Sequence, residues 1–422
     1  MGIKSDAKAI IDAAIAAVQP QAAVKAALDK LELKGRIYLV AIGKAACTMA
    51  KAACEELSIE EGIVITKYGH AQGGLDRVRV YEAGHPIPDE NSVAATEQAI
   101  ELAKKAGAGD TVLFLVSGGG SALFEKPLVP LDELKDISAQ LIACSADIVE
   151  INTVRKRLSS VKGGRFAKMC APAEVAAIIL SDIVGDPVDM IASGPACADA
   201  STCPDAKRVI EKYGIRLSQQ AMALMDTDTP KRLDNVTAYV TGSVRELCRA
   251  AANAAKRMGY EAQILADSLT CEAKEAGSML GSIARYNSLS RSSRAFIFGG
   301  ETVVRLNGAG MGGRSQELAL AAAEKLSGID GACVFAVGSD GTDGPTDAAG
   351  GYVDGHTKEK LEQKGISIQE SLKNNDSYNA LKAIGGLIIT GPTGTNGSIG
   401  KLNSSCTIHL TGTYYCKDSG WK

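Results

Sequence analysis

Six segments of this chain concentrate the residue types that handle phosphate, carboxylate or a hard cation. Ser117-Gly118-Gly119-Gly120-Ser121 follows the apolar run Thr111 to Val116 and precedes a helical stretch. Consecutive glycines let backbone N–H groups converge on an anion without Cβ obstruction, and a helix N-terminus adds partial positive charge. Lys44 stands in an earlier turn, between the buried run Arg36 to Ile42 and an apolar helix, where its compact charge could hold a phosphate or a carboxylate. The basic stretch Asn152 to Arg157, followed by Lys162-Gly163-Gly164-Arg165, reads either as a solvated helix face or as an anion-steering wall. Arg155 and Lys162 are its better ligand candidates.

The remaining three segments are acidic or mixed. Asp182 and Asp186 follow the run Val175 to Leu180, where two carboxylates suit a hydrated magnesium ion or a general base. Glu301 follows Gly299-Gly300 at another strand end. Beyond it, Gly308-Ala309-Gly310-Met311-Gly312-Gly313-Arg314 contains the spacing GxGxxG ahead of a helix. A dinucleotide fingerprint would place an acidic residue at the end of the next strand, some ~20 positions on. Here Asp330 precedes that strand instead, and Arg314 points at the same anion, so Gly312, Gly313 and Arg314 read as a phosphate site without nicotinamide. Finally, Ser339-Asp340-Gly341-Thr342-Asp343-Gly344-Pro345-Thr346-Asp347 supplies oxygen ligands in a flexible loop. Asp340 and Asp343 are the magnesium candidates.

The elements that must position these loops alternate strand, Gly-rich turn and helix, the pattern of an α/β fold with a mainly parallel sheet. Loops at the carboxyl ends of such strands collect ligand sites. A polar, turn-rich stretch at Asp226 to Lys231 marks a boundary. After it comes a second α/β series with strands at Ala238 to Thr241, Gln263 to Ala266, Arg294 to Phe298 and Cys333 to Val337. The expected division is 1–232 for an N-terminal Rossmann-like domain and 233–396 for a C-terminal α/β domain. Residues 397–422 form an atypical tail without helical or strand period.

Composition narrows the class. A formal net charge of −3 over 422 residues gives no polybasic surface for nucleic acid or an anionic membrane. No secretory signal and no membrane-spanning run is read, and eleven cysteines without paired spacing fit a reducing, cytoplasmic setting. There is no P-loop, no protein-kinase motif set and no HExxH. His85, in Gly84-His85-Pro86, reads as part of a rigid turn, with substrate contact the lesser alternative.

Taken in order, these segments resemble the class II glycerate 2-kinases, whose C-terminal part is the MOFRL domain. The resemblance rests on Gly43-Lys44-Ala45-Ala46, Gly84-His85-Pro86, SGGGSAL from Ser117, INTVRKRLS from Ile151, KGGR from Lys162, SDIVGD from Ser181, SGP from Ser193, GGET from Gly299, GGRSQE from Gly312 and SDGTDGPTDAAG from Ser339. It covers about 1–396. Beyond Asn396 the chain departs from the family pattern. The resemblance implies two α/β domains with the active site in the cleft between them, and ATP, magnesium and D-glycerate as reactants. It implies Lys44 and Arg314 as the main catalytic pair, with Asp182 or Asp186 orienting the hydroxyl. The expected partners are these small molecules alone, with no nucleic acid and no membrane, on a monomer or homodimer. The rival expectations are an NAD(P)H-dependent hydroxypyruvate reductase and a non-catalytic sugar-acid or nucleotide sensor.

Overall fold

A computed structural model describes residues 2–181, 185, 187–289, 292–391 and 393, together with the backbone of a strand at Thr407–Thr413. The chain divides into two compact units, one of Pro20–Ser181 with Asp186–Thr241, the other of Met1–Gln19 and Asp182–Gly185 with Gly242–Lys422.

The first unit is built on a six-stranded sheet of β1 (Ile37–Ile42), β2 (Glu61–Lys67), β3 (Val78–Ala83), β4 (Thr111–Val116), β5 (Glu174–Leu180) and β6 (Val236–Thr241). Their order is β3-β2-β1-β4-β5-β6 and every pair is parallel. The central strands are apolar on both faces because helices cover both, which is why β4, TVLFLV, is buried at every position. The sequence runs outward from β1 to β3, then returns to the other side of β1 with β4. The carboxyl ends of β1 and β4 therefore flank the crevice at which the strand order reverses. A separate helical core packs Leu134, Ile137, Leu141, Val154, Leu158, Val209 and Ile210 from three of the helices between β4 and β6.

The second unit holds β7 (Glu261–Leu269), β8 (Arg294–Gly300), β9 (Ala332–Gly338), β10 (Gly350–Asp354), β11 (Leu387–Ile388) and β12 (Thr407–Thr413), ordered β11-β10-β9-β12-β8-β7. Both β8 and β9 run antiparallel to β12 and so parallel to each other, which brings their carboxyl ends out on one side.

Three expectations are corrected. Strand β6, read as the start of the second series, is the edge strand of the first sheet, with Val236 opposite Val175. The N-terminal helix Ile3–Ala17 joins the second unit, because Ile10, Ile11 and Ala14 pack with Val244, Leu247 and Ala251 and with Ile297 of β8. The tail, read as lacking strand period, contributes β12, whose backbone bridges β8 and β9.

Candidate active site

In the first unit the turns after β1 and β4 are tied together. The Ser117 N–H and hydroxyl both donate to the Ile42 carbonyl, at 2.9 and 3.1 Å. The Lys44 N–H donates to the Gly118 carbonyl at 2.9 Å, and the Ala45 N–H to the Ser117 hydroxyl at 3.1 Å. Gly119 is left-handed, with φ +87°, and a Cβ there would lie 3.0 Å from His85 Cδ2 and 3.3 Å from Lys44 Cε. Lys44 and His85 thus converge on the bare Cα of Gly119. Among the described residues the N–H groups of Gly118, Gly119 and Ser121 donate to no protein acceptor. Three open donors beside a lysine ammonium, at a topological switch point, make a cradle for a phosphate or carboxylate.

The cations expected to line this cradle stand behind it. Lys162 is fully buried, and its Nζ donates to the carbonyls of Ser121 at 2.8 Å and Phe124 at 3.1 Å. It also pairs with Glu125 at 3.5 Å, a carboxylate with no solvent exposure. Burial, only partly opposed by Glu125, pushes the Lys162 ammonium down to about 8. Arg155 reaches the same Ser121 carbonyl at 3.2 Å and Glu125 at 3.9 Å. Two other cations of this stretch, Lys156 and Arg157, also face inward. Lys156 pairs with Asp189 and Asp199, each at 3.2 Å, and Arg157 donates to the Thr153 carbonyl at 2.8 Å and to Ser201. The stretch is neither a solvated face nor a steering wall, because the helix Ile148–Leu158 turns these charges onto buried acids and carbonyls.

Ser121 is held from its hydroxyl as well. Its Oγ lies 3.1 Å from Ser193 Oγ, which donates to Asn152 Oδ1 at 2.8 Å. Ala192 and Ser193 are left-handed, with φ +52° and +61°. Such non-glycine residues cost of order 1 kcal/mol each and persist where the surroundings dictate them. Neither the strain nor the Asn152 contact is visible in the sequence. Asp182 and Asp186 lie outside the described residues.

In the second unit, Glu301 and Asp340 follow β8 and β9 on the side where both strands end. Arg314 opens the helix Arg314–Leu326, and its guanidinium donates to Glu301 Oε1 at 3.0 Å. The N–H groups of the next turn are taken. Ser315 N–H and Gln316 N–H donate to Asp343 Oδ1 and Oδ2 at 3.1 and 2.8 Å. Asp343 caps this helix from outside, and Gly313 must be glycine because a Cβ would run into the Asp343 carboxyl. Burial pushes Asp343 up to about 6, against these hydrogen bonds and the Arg314 charge. Asp340 is also buried, and burial raises its carboxyl above the ordinary range, with the Thr342 N–H and Arg314 opposing. Thr393 fixes that loop by donating to the carbonyls of Ser339 and Asp340. Arg314, Glu301, Asp340 and Asp343 are thus brought into one electrostatic neighbourhood. Gly312 packs against Ser377, where a Cβ would meet its hydroxyl.

The GxGxxG spacing has a structural cause. The N–H groups of Asn307 and Gly308 donate to Asn375 Oδ1 at 2.7 and 2.9 Å, and that of Ala309 to Asn374 Oδ1 at 3.2 Å. Gly310 donates to the Asn374 carbonyl at 2.9 Å and Met311 to Asp376 Oδ1 at 3.0 Å. Five successive donors, from Asn307 to Met311, are consumed by Asn374-Asn375-Asp376, so this stretch of backbone is not open to a pyrophosphate. Among the described residues no group of three or more His, Cys, Asp or Glu side chains could hold a metal by itself. Asp340, a buried carboxylate whose pKa burial raises, is the residue here that could hold a single cation contact.

Comparison with known proteins identifies the family and the fold. Residues 6–226 match a domain of unknown function, DUF4147, and residues 294–398 match the MOFRL family. The chain is 52% identical to D-glycerate 2-kinase of Thermotoga maritima, over 93% of this chain and 96% of that protein. It is 39% identical to a putative hydroxypyruvate reductase of Agrobacterium vitis, over 92% and 91% of the two chains. The crystal structure of glycerate kinase from Thermotoga maritima superposes with a TM-score of 0.91 at 50% identity, covering 97% of this chain and 99% of the other. On the two matched domains and full-length identity above one half, this chain belongs to the glycerate 2-kinase family with a DUF4147 domain followed by a MOFRL domain.

Proposed function

We propose that this protein transfers the γ-phosphoryl group of ATP to the 2-hydroxyl of D-glycerate, giving 2-phosphoglycerate and ADP. The observation that carries the reading is the cradle at the β1/β4 switch point, where Lys44 meets the open N–H groups of Gly118, Gly119 and Ser121. A loose phosphoryl-transfer transition state needs positioning and charge neutralisation more than covalent help. Lys44 and Arg314 act on the moving phosphoryl group, Arg314 oriented by Glu301. Asp340 is the favoured magnesium ligand, and magnesium would neutralise the triphosphate. Asp343 serves first as a helix cap. Lys162 and Arg155 hold Ser121 in place and touch neither reactant. Asp182 or Asp186 orients the acceptor.

The cytoplasm is the proposed compartment, supported by nine described cysteines of which none is in a disulfide. No described helix is long and apolar enough to cross a membrane. Small molecules are the proposed partners.

The reductase reading draws on the Agrobacterium vitis relative's name. It is disfavoured here because its foothold, the GxGxxG segment, commits the N–H groups of Gly308 to Met311 to the 374–376 turn. Incubation with ATP, magnesium and D-glycerate, followed by phosphorus NMR of the product, tests the proposal. Phosphate on carbon 2 supports it, and no phosphorylated product with nicotinamide oxidation on hydroxypyruvate overturns it.

A further inference from the structure

We propose that His85 is a further catalytic residue: its imidazole, seated with Lys44 against the bare Cα of Gly119, receives the proton of the attacking hydroxyl. This rests on the phosphoryl-transfer reading above. His85 follows β3, a parallel strand of the sheet whose β1 and β4 ends form the cradle, so its turn opens on the same side. A Cβ at Gly119 would stand 3.1 Å from His85 Nε2 and 3.3 Å from Lys44 Cε. One ring nitrogen and the lysine stem therefore border the same small volume as the open N–H groups. The ring is half-buried, and among the described residues it makes no hydrogen bond.

The charged surroundings give this imidazole a conditional basicity. Burial first, then Lys44 from the β1 turn, Lys67 at the end of β2 and His70 beyond it, hold His85 down to about 4. The carboxylates on its flank are otherwise engaged. Glu82 accepts from the N–H groups of His70 and Ala71, and Asp89 from Gly84 N–H, Ser92 and the Tyr68 hydroxyl. His85 is thus neutral before substrate arrives. A phosphate bound at Lys44 cancels the positive field that suppresses it, so its affinity for a proton rises when phosphate is in place. In the transfer, the hydroxyl oxygen bonds to the γ-phosphorus while the bond from phosphorus to the bridging oxygen breaks, its electron pair leaving with ADP. The hydroxyl proton passes to His85 Nε2 and is released to water as the products depart.

The test uses the full-length chain. The variants H85Q and H85N, with folding followed by thermal melting, are assayed with ATP, magnesium and D-glycerate from about pH 4 to about pH 9. The expected result is a kcat lowered by about 10²-fold, with the acid limb of the wild-type kcat profile abolished. Histidine-labelled NMR of the wild type adds a readout independent of turnover, in which the His85 titration moves upward when magnesium–ADP is added. If both variants keep kcat within about threefold and retain the wild-type profile, the proposal is overturned. It is equally overturned if magnesium–ADP leaves the His85 titration in place. A wild type that does not phosphorylate glycerate would instead refute the phosphoryl-transfer reading, so the two failures are distinguishable.

Discussion

The guanidinium of Arg314 lies 3.0 Å from the carboxylate of Glu301, and both side chains are largely buried. The pair joins the end of β8 to the start of the helix Arg314–Leu326, so Glu301 fixes the direction in which Arg314 presents its remaining donors. In the proposed mechanism Arg314 acts on the phosphoryl group, and Glu301 acts through Arg314. Replacing Arg314 with Ala is expected to lower kcat by roughly 10²–10³, the scale of losing one preorganised donor. Glu301→Gln should lower it by about tenfold, since an amide still accepts one hydrogen bond but carries no charge. The double variant should be no slower than Arg314→Ala alone. Steady-state kinetics on the four proteins decide this, and additive losses would show that Glu301 has a role of its own.

Lys162 and Glu125 form a buried pair beneath the cradle. Lys162→Met leaves the Glu125 charge without its ammonium, and should destabilise the fold by about 3–5 kcal/mol. Lys162→Met with Glu125→Gln should recover part of that loss, because the stranded charge is gone. The pH dependence has a defined sign. The folded pKa, about 8, lies below the ordinary lysine value of 10.5. The folded state therefore binds this proton less tightly than the unfolded chain, and the group's contribution to stability improves as pH rises from about 8 to about 10.5. Urea unfolding of wild type and variants across that window measures it. A wild-type minus Lys162→Met difference that is flat with pH would contradict the assignment.

Asp343 gives the opposite window. Its folded pKa of about 6 stands above the ordinary value of 3.8, so its favourable contribution is complete below about pH 3.8 and is lost as pH rises through about 6. Asp343→Asn keeps an acceptor for the Ser315 or Gln316 N–H and removes the titration. Relative to the variant, the wild type should lose thermal stability between about pH 4 and about pH 6. Melting curves at matched ionic strength test this, and parallel curves for the two proteins would refute it.

Much of this was legible in the sequence because of where charge and glycine sit relative to apolar runs. Strands β1, β2, β4 and β5 announce themselves as short runs apolar on both faces, and their Gly-rich ends locate Lys44 and the Ser117–Ser121 cradle. Strand β3 was not read, and β6 was read into the wrong sheet. Both are edge strands of mixed polarity, whose pairing depends on neighbours distant in sequence. Charge without direction misled at Arg155 to Lys162, because a helix shows that a lysine exists but not which acid it will meet. Asp199 and Glu125 decide that, and both stand more than thirty residues from at least one of their partners. The GxGxxG spacing is ambiguous for a related reason, since glycines needed for close packing look the same as glycines needed for a cofactor.

That ambiguity can be tested at Asn375. This residue is left-handed, with φ +54°, and its Oδ1 accepts from the N–H groups of Asn307 and Gly308. Its Nδ2 donates to the Arg305 carbonyl at 3.1 Å and to Glu317 at 3.2 Å. If Gly308 and Gly310 exist to pack against this turn, Asn375→Ala removes four hydrogen bonds worth about 1 kcal/mol each, and should cost roughly 2–4 kcal/mol in denaturant unfolding. Gly310→Ala should destabilise as well, because its Cβ would lie 2.5 Å from that of Asp376. Neither substitution should disclose a nicotinamide site, so NADH should leave the wild-type melting temperature unmoved while magnesium–ATP raises it. A rise with NADH that Gly310→Ala abolishes would mean that this backbone opens to receive a dinucleotide, and the reductase reading would then displace the kinase.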